Sequence, residues 1–390
     1  MAGFGGEGRM RSLWLAIAVW GWLPLPVVRP GGEREGRLPE YLAPFVPSPM
    51  KVVEAMLRLA KVTSKDVVYD LGCGDGRIVI TAAKKFGAKG VGVDIDYQRV
   101  KEAMENAKRQ GVEDRVTILL KDAFDVDLSE ATVVTLYLLS EANLKLRPKL
   151  LAELKPGARV VSHQFDMGSW RPDRTVEVKD ESGWTRRLYL WVIKPPAPAS
   201  GMWEWKEGRA MHRLKVRQIG SAISGFYITP EGRRLPLEDA FLSGDEIHFV
   251  VGGERRRVYE GRVRGDSIIG WVRAEAEGRK GRWQAKRLKV RVGGKWVVSI
   301  QAPWGRVKGT LFLRGIGGRL SGALEVMGRK FPVSGDLFGA TARVEVRFPT
   351  PLGEALMRLE GLVDGDRMDG PIRLEPFKVR GWFEGRREGD

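Results

Sequence analysis

One cysteine and three histidines mark this 390-residue chain, and no block of lysine or arginine interleaved with aromatics stands out from its scattered basic residues. Cys73, being alone, excludes an intrachain disulfide and any cysteine-rich zinc cluster. His163, His212 and His248 stand too far apart in sequence to suggest a histidine metal site, so no metal is expected. Asparagine is scarce beside abundant arginine and glutamate, a balance that leans toward a thermophile. Lys and Arg outnumber Asp and Glu by 66 to 49, giving a formal charge of +17. Because the basic residues are scattered, a solvated surface accounts for that charge, with a nucleic-acid or anionic-membrane partner as the alternative. A hydrophobic fraction of 43% is ordinary for a folded protein, and the length allows two or three domains.

Residues 1–30 read apart from the rest. Arg9 and Arg11 precede an apolar run at 13–28 that contains Trp14, Trp20, Trp22, Pro24 and Pro26. The run is shorter than the roughly 20 apolar residues of a membrane span. It has the basic start of a signal peptide without a small-x-small cleavage site. Membrane anchor, export signal and an extension upstream of a misplaced start all remain open. Residues 31–47 form a linker and lead-in.

Ser48-Pro49 opens a helix, with serine expected as N-cap and proline in the first turn. Val52, Val53, Met56, Leu57 and Ala60 give it one broad apolar face. Strands are expected at 67–69, 91–93, 116–120, 131–138 and 158–163, separated by helices at 78–86, 97–110 and 141–154. A hairpin, 175–178 with 187–193, closes the sheet. This alternation predicts an α/β domain over 48–194, a mainly parallel, doubly wound sheet of seven strands with its ligand crevice at the strand carboxyl ends.

The run Pro195-Pro196-Ala197-Pro198-Ala199-Ser200 is a stiff boundary. Beyond it, short alternating stretches between glycine turns predict a mostly antiparallel β region with two internal repeats. LKVRQIGSAISG from Leu214 aligns with LFLRGIGGRLSG from Leu311, and RRLPLEDAFLSG from Arg233 with RKFPVSGDLFG from Arg329. EGRVRGDSIIG from Glu260 returns as EGLVDGDRMDG from Glu360. Two copies of one β module, 201–295 and 296–390, are the simplest account, with the Gly-Asp pairs at tight two-residue turns. Two small barrels or one larger closed sheet would both satisfy the pattern.

The chemistry concentrates in Asp70-Leu71-Gly72-Cys73-Gly74-Asp75-Gly76-Arg77. Glycines let the backbone turn sharply and approach a ligand, as they also do in dinucleotide enzymes. The acids discriminate. Asp70 and Asp75 would repel a pyrophosphate, and Arg77 stands where the third dinucleotide glycine belongs, which argues against an NAD enzyme. A cationic sulfonium ligand without phosphate, S-adenosylmethionine, suits an acidic cradle. Asp94, at the end of the second strand, is placed to accept both ribose hydroxyls. Ile95 would lie against adenine or pack in the core. Asp122 would accept from the adenine amine, with Ala123 leaving room for the ring, or cap a helix.

Motifs 70–77, 91–96 and 118–123 resemble those of the seven-strand class of adenosylmethionine-dependent methyltransferases. With Phe45-Val46-Pro47-Ser48-Pro49, DLGCGDGRIVI, ATVVTLYLL, LRPKL and RVVSHQFDMGSW, residues 40–194 resemble a bacterial member of the protein-lysine methyltransferase family whose eukaryotic relatives modify the ATP synthase c subunit. The resemblance implies protein-lysine methylation and a cofactor held by Asp70, Gly72, Gly74, Asp94 and Asp122, with Cys73 of the same loop a further cofactor-binding candidate. Ser48 is a further candidate for the methionine moiety, or a cap alone. It also implies a protein substrate, one embedded in a membrane if the apolar run at 13–28 is an anchor. Tyr41, Phe45 and Pro47, with Thr135 and Tyr137, are candidates for the acceptor slot, each with core packing as its plain alternative. His163 is a weaker candidate base, and Arg77 and Arg147 are expected in internal ion pairs. The β modules have no counterpart in the eukaryotic enzyme, so a nucleic-acid methyltransferase and a non-catalytic scaffold are the rivals. Because adenosylmethionine is made and kept inside cells, a cytoplasmic location, or the cytoplasmic face of an inner membrane, is expected.

Overall fold

A computed structural model of the chain describes residues 45–388, save 254, 255, 276, 277, 279, 289, 303, 304, 317, 339, 351, 352 and 378. The apolar segment at 13–28 and Tyr41 lie outside the described residues. Among the described residues no helix is long and apolar enough to cross a membrane.

Helix α1 (Met50–Leu59) buries Val52, Val53, Met56 and Leu57, the face its periodicity demands. Its start differs from expectation. Pro49 is the N-cap and no side chain caps the helix, because the Ser48 hydroxyl bonds instead to His163 Nδ1 at 3.0 Å. Strand β1 (Val67–Leu71), α2 (Arg77–Phe86), β2 (Lys89–Asp94), α3 (Tyr97–Arg109), β3 (Val116–Leu120), β4 (Val133–Leu136), α4 (Ser140–Glu153), β5 (Arg159–His163), β6 (Arg174–Lys179) and β7 (Thr185–Val192) follow.

These seven strands form one mixed sheet in the order β3-β2-β1-β4-β5-β7-β6. Strands β1 to β5 run parallel, and β7 is antiparallel to both β5 and β6. The chain winds outward from β1 through β2 to β3, then returns to place β4 on the other side of β1. That reversal opens a crevice at the carboxyl ends of the strands. Val68, Val133, Val161 and Leu188 meet α1 and α2 in one buried cluster. Leu71, Val134, Leu136, Val160 and Trp191 meet Leu146, Leu150 and Leu151 of α4 in another.

The remainder is two closed barrels, which resolves the alternative left open by the repeat. The first comprises β8 (Gly201–Glu207), β9 (Ala210–Ile219), β10 (Ala222–Ile228), β11 (Arg234–Ser243), β12 (Glu246–Val251), β13 (Arg257–Arg264), β14 (Ser267–Ala274) and β15 (Lys280–Arg287). The second comprises β16 (Gly294–Ala302), β17 (Gly305–Ile316), β18 (Arg319–Val326), β19 (Arg329–Phe338), β20 (Thr341–Thr350), β21 (Gly353–Asp364), β22 (Arg367–Glu375) and β23 (Val379–Arg387). Closure removes the free edges that an open sheet would present. Gly265-Asp266 and Gly365-Asp366 make two-residue turns between β13 and β14 and between β21 and β22, with glycine φ of 57° and 61°.

The barrels share devices the sequence showed only faintly. A Cβ on Gly270 would lie 1.9 Å from the Glu260 carbonyl oxygen, and one on Gly370 1.8 Å from that of Glu360. Trp203 Nε1 donates to the Ala199 carbonyl at 2.9 Å and Trp296 Nε1 to that of Val292 at 2.8 Å. Arg287 lies over the first ring and Arg387 over the second, paired with Asp266 and Asp366 respectively.

They differ in one strand. The pairing of β10 with β11 shifts between Phe226–Pro236 and Ala222–Phe241, whereas β18 and β19 pair without a break. The bulge contains Asp239, at φ 46°, a conformation uncommon outside glycine and more tolerated by Asp and Asn than by most residues. Its carboxylate pairs with Arg147 of α4, accepts from Ser169 Oγ at 2.6 Å and faces His248 Nε2 at 3.2 Å. The bulge thereby fastens the first barrel to the sheet domain.

Candidate active site

The loop after β1 turns on three left-handed glycines, with φ of 80° at Gly72, 53° at Gly74 and 78° at Gly76. Gly72 N and Cys73 N both donate to the Val93 carbonyl, at 2.8 and 3.0 Å, which clamps the loop to the end of β2. Cys73 is buried and its Sγ would lie 2.8 Å from a Cβ on Gly92, so the thiol packs on β2. Burial pushes that thiol well above the usual range.

Asp94 joins loop and strand. One carboxylate oxygen accepts from Gly74 N at 2.8 Å and the other from Asp96 N at 3.0 Å. Each oxygen keeps a lone pair, so a vicinal diol can still be met by both. Ile95 is half-buried beside it. Asp122 Oδ1 accepts from Phe124 N at 2.9 Å. It thus caps a turn, since no helix follows, and Ala123 is buried behind it in the sheet core.

Asp70 is 2% exposed. Burial raises its carboxyl pKa to about 7, against the lowering bond from Thr135 and with further raising by Asp94 and Asp75. A buried acid held near neutrality lacks a cation, so an ammonium or sulfonium group placed here would restore its charge. Asp75 does not share that role. Arg77 holds both of its oxygens and also donates to the Ser48 carbonyl at 2.8 Å, so the acidic cradle inferred from sequence reduces to Asp70 and Asp94. The arginine pairs internally, and so does Arg147.

Thr135, expected in the acceptor slot, is instead fully buried and donates to Asp70 Oδ1 at 2.7 Å. Its hydroxyl, between two parallel strands, also lies 3.3 Å from the Tyr69 carbonyl of β1 and is thus committed to the sheet. Phe45 lies on the cofactor loop: a Cβ on Gly74 would come within 2.2 Å of its ring, and the Arg99 guanidinium sits 4.5 Å from the ring centroid on it. Tyr137 is half-buried and stacks on His163, with centroids 3.9 Å apart, and on Phe165 at 6.4 Å.

His163 is fully buried. Burial, with the nearby Arg186 charge, lowers its pKa to about 4, so the ring stays neutral. With Nδ1 on Ser48, Nε2 has no partner. Asn143 Oδ1 of α4 is likewise buried and unpartnered, while its amide nitrogen donates to Ser162 Oγ and to the carbonyls of Phe165 and Asp166. Sequence reasoning missed Asn143 and understated Ser48, whose bond to His163 spans 115 residues. Among the described residues no group of three or more His, Cys, Asp or Glu side chains is placed to hold a metal.

The ligand that fits is therefore a cation with a nucleoside diol: a left-handed glycine loop, a diol-accepting Asp94 and a buried acid without a cation suit S-adenosylmethionine. Residues 70–174 match the ANTKMT methyltransferase domain family. A protein-lysine N-methyltransferase of Saccharolobus islandicus is 52% identical over 38% of this chain and 93% of its own length. The human lysine N-methyltransferase of the ATP synthase c subunit is 33% identical over 41% of this chain and 67% of its own length. A solved structure described as an RNA methyltransferase from Salinibacter ruber, in complex with S-adenosyl-L-homocysteine, is 55% identical, covers 40% of this chain and 98% of its own, and superposes with a TM-score of 0.37.

Proposed function

Because the chain belongs to the class I S-adenosylmethionine-dependent methyltransferases of the ANTKMT protein-lysine family, we propose that it methylates the ε-amine of a lysine on a protein substrate. The observation that carries this reading is that Asp70 in β1 and Asp94 at the end of β2, joined by the glycine loop, lie on neighbouring strands to the Tyr137–His163 stack at the carboxyl ends of β4 and β5. S-Adenosylmethionine supplies a methyl group already activated on a sulfonium, so the protein's part is alignment, desolvation and a neutral nucleophile.

Asp94 takes the ribose diol and Asp70, kept in place by Thr135, faces the cationic end. Gly72, Cys73 and Gly74 offer the close backbone approach, while Ile95, Asp122 and Ala123 border the adenine and Ser48 the methionine end. Phe45 and Tyr137 border the acceptor, and Tyr41, outside the described residues, is kept as a sequence candidate for the same slot. The attacking lysine, with a reference pKa near 10.4, must lose its proton. A slot walled by Tyr137, Phe165 and neutral His163 desolvates the ammonium and favours its neutral form. With the cofactor held by Asp70 and Asp94, the neutral amine in this slot would accept the sulfonium methyl group, and the proton left on the methylated amine would pass to water. We further divide the chain into a doubly wound catalytic domain at 48–194 and β modules at 201–295 and 296–390. A cytoplasmic location, or the cytoplasmic face of an inner membrane through residues 13–28, suits the cofactor supply.

The test offers methyl-labelled cofactor with separate soluble-protein, membrane and nucleic-acid fractions of a cell lysate. Acid-stable label on lysine is the expected result, and label confined to nucleic acid would overturn the reading. Asp94→Ala should weaken cofactor binding at least tenfold, the scale of a lost charge-assisted hydrogen bond, about 1.5–3 kcal/mol.

A further inference from the structure

The two barrels present corresponding faces on their last two strands, and among the described residues only one of those faces is covered. In the second barrel, Pro371 of β22 pairs across to Trp382 of β23. That face meets the first barrel: Arg217 of β9 sits 4.3 Å from the Trp382 ring centroid, and Lys215 and Arg217 reach Asp369 at 3.3 and 2.7 Å. The corresponding pair in the first barrel, at the constant offset of one hundred residues, is Trp271 of β14 with Arg282 of β15. Nothing covers it. Trp271 and its outward neighbour Ile269 are each 45% exposed.

The uncovered face is strongly basic. Arg273, Lys280, Arg282 and Lys286 point outward and are exposed, and among the described residues none has a carboxylate partner. Lys280 Nζ lies 5.0 Å and the Arg282 guanidinium 5.8 Å from the Trp271 ring centroid. Glu260, across from Trp271 on β13, faces His248 Nδ1 at 3.7 Å. Outward side chains along a strand recur about every 6.7 Å, close to the spacing of successive phosphates along an extended single strand.

A second copy of this chain does not fit. The interface inside the molecule needs Asp369 to receive two cations, and Ile269 stands at that position in the first barrel. The strand that would approach, β17, offers Lys308 and Arg314, which the basic face would repel.

We propose that the outer face of β14 and β15 binds single-stranded nucleic acid, with bases stacking on Trp271 and phosphates taken by Arg273, Lys280, Arg282 and Lys286. An exposed aromatic among unpaired cations is the arrangement by which sequence-tolerant single-strand binders work. The site is separate from the methyl-transfer crevice and stands whether the acceptor is a protein or not.

The test measures fluorescence anisotropy of labelled oligouridylate with the full-length protein across a salt series. Binding should weaken as salt rises. Trp271→Ala should weaken it about fivefold to a hundredfold, the range for loss of one stacked base, and Trp271→Phe should restore most of it. The double variant Arg273→Ala/Arg282→Ala should also flatten the salt dependence by about 0.7 in slope for each phosphate no longer neutralised. Arg347→Ala, on a second-barrel arginine paired with Glu354, should change nothing. Each substituted side chain is exposed, and an unchanged melting temperature verifies folding. No binding at low salt would overturn the proposal, as would variants that bind like the parent. Displacement of the RNA by oligoglutamate at equal charge, indifferent to Trp271→Ala, would assign the face to acidic peptides and equally overturn it.

Discussion

At the carboxyl ends of β1, β4 and β5 the sheet buries Asp70, Thr135, Ser162 and His163, while the barrels bury Arg287 and their interface holds Arg147 with Asp239. The two regions treat these groups differently. The sheet leaves His163 Nε2 and Asn143 Oδ1 without partners and keeps Asp70 without a cation. The barrel side pairs its buried charges: Arg287 has Asp266 at 3.1 Å and the carbonyls of Pro198, Ser200 and Gly265, and Asp239 has Arg147, Ser169 and His248, while a neutral hydroxyl, Thr341 Oγ1 of the second barrel, goes unpartnered among the described residues. An unmet buried polar group costs about 1–3 kcal/mol, so His163 Nε2, Asn143 Oδ1 and the cation-free Asp70 at the strand carboxyl ends suit a ligand, whereas paired buried charges serve assembly. Substitutions should therefore trade stability against binding in opposite senses on the two sides.

The largest effect should come from Asp239→Ala, on the satisfied side. Arg147, whose side chain is 8% exposed, would be left buried without its carboxylate, a loss that costs about 3–5 kcal/mol. Denaturant unfolding at neutral pH measures it, and a loss under about 1 kcal/mol would erase the contrast. The pH dependence has a definite sign. Burial alone would raise the Asp239 pKa, but His248, Ser169 and the Arg147 charge hold it well below the usual carboxylate range. Its contribution is thus fully present above the unfolded pKa near 4 and is lost as pH falls through the lower native value. The parent should lose more stability on acidification below pH 4 than the variant does.

The contrast also explains what the sequence made legible. The glycine loop, Asp94 and the strand–helix alternation depend on neighbours in sequence, and the structure places them where local patterning puts them. The Gly-Asp turns and the module repeat were legible for the same reason. Bonds that require the sheet to be assembled were not: Thr135 to Asp70 spans 65 residues and Ser48 to His163 spans 115, and both residue types fit a plainer role locally. Asp75 misled because its partner, Arg77, stood two residues away and its charge was read as free. The bulge at Asp239 left a trace in the aligned repeats, where RRLPLEDAFLSG is one residue longer than RKFPVSGDLFG. Only pairing in the sheet showed that the extra residue reaches the catalytic domain.

On the unmet side, Asp70→Asn should give an intermediate effect of the opposite kind. The native pKa of about 7 lies above the ordinary value of 3.8, so in the ligand-free protein the stability linked to this group is fully present below about pH 4 and declines as pH rises through 7. Asparagine keeps the shape and removes the charge. The variant should be more stable than the parent at pH 8, by about 1–3 kcal/mol, the scale of relieving a buried, poorly compensated polar group. It should also bind the cationic cofactor at least tenfold more weakly. Thermal melts at pH 5 and 8 with calorimetry resolve both, and a variant less stable at pH 8 with unaltered affinity would place Asp70 among the structural groups.

The smallest effect should be that of Tyr137→Phe, which probes the acceptor end without disturbing the stack on His163. Ring packing is retained, so stability should stay within about 0.5 kcal/mol of the parent, as expected where no cavity or orphaned group is created. Cofactor affinity should be unchanged, because the loop, Asp70 and Asp94 are untouched. Turnover should fall by about tenfold, matching the loss of one neutral hydrogen bond of about 1–1.5 kcal/mol that orients the amine. Single-turnover transfer from labelled cofactor separates this from binding. Equal losses in affinity and rate would move Tyr137 to the cofactor side of the crevice, and no loss in either would leave His163 and Phe165 as the walls that matter for the acceptor.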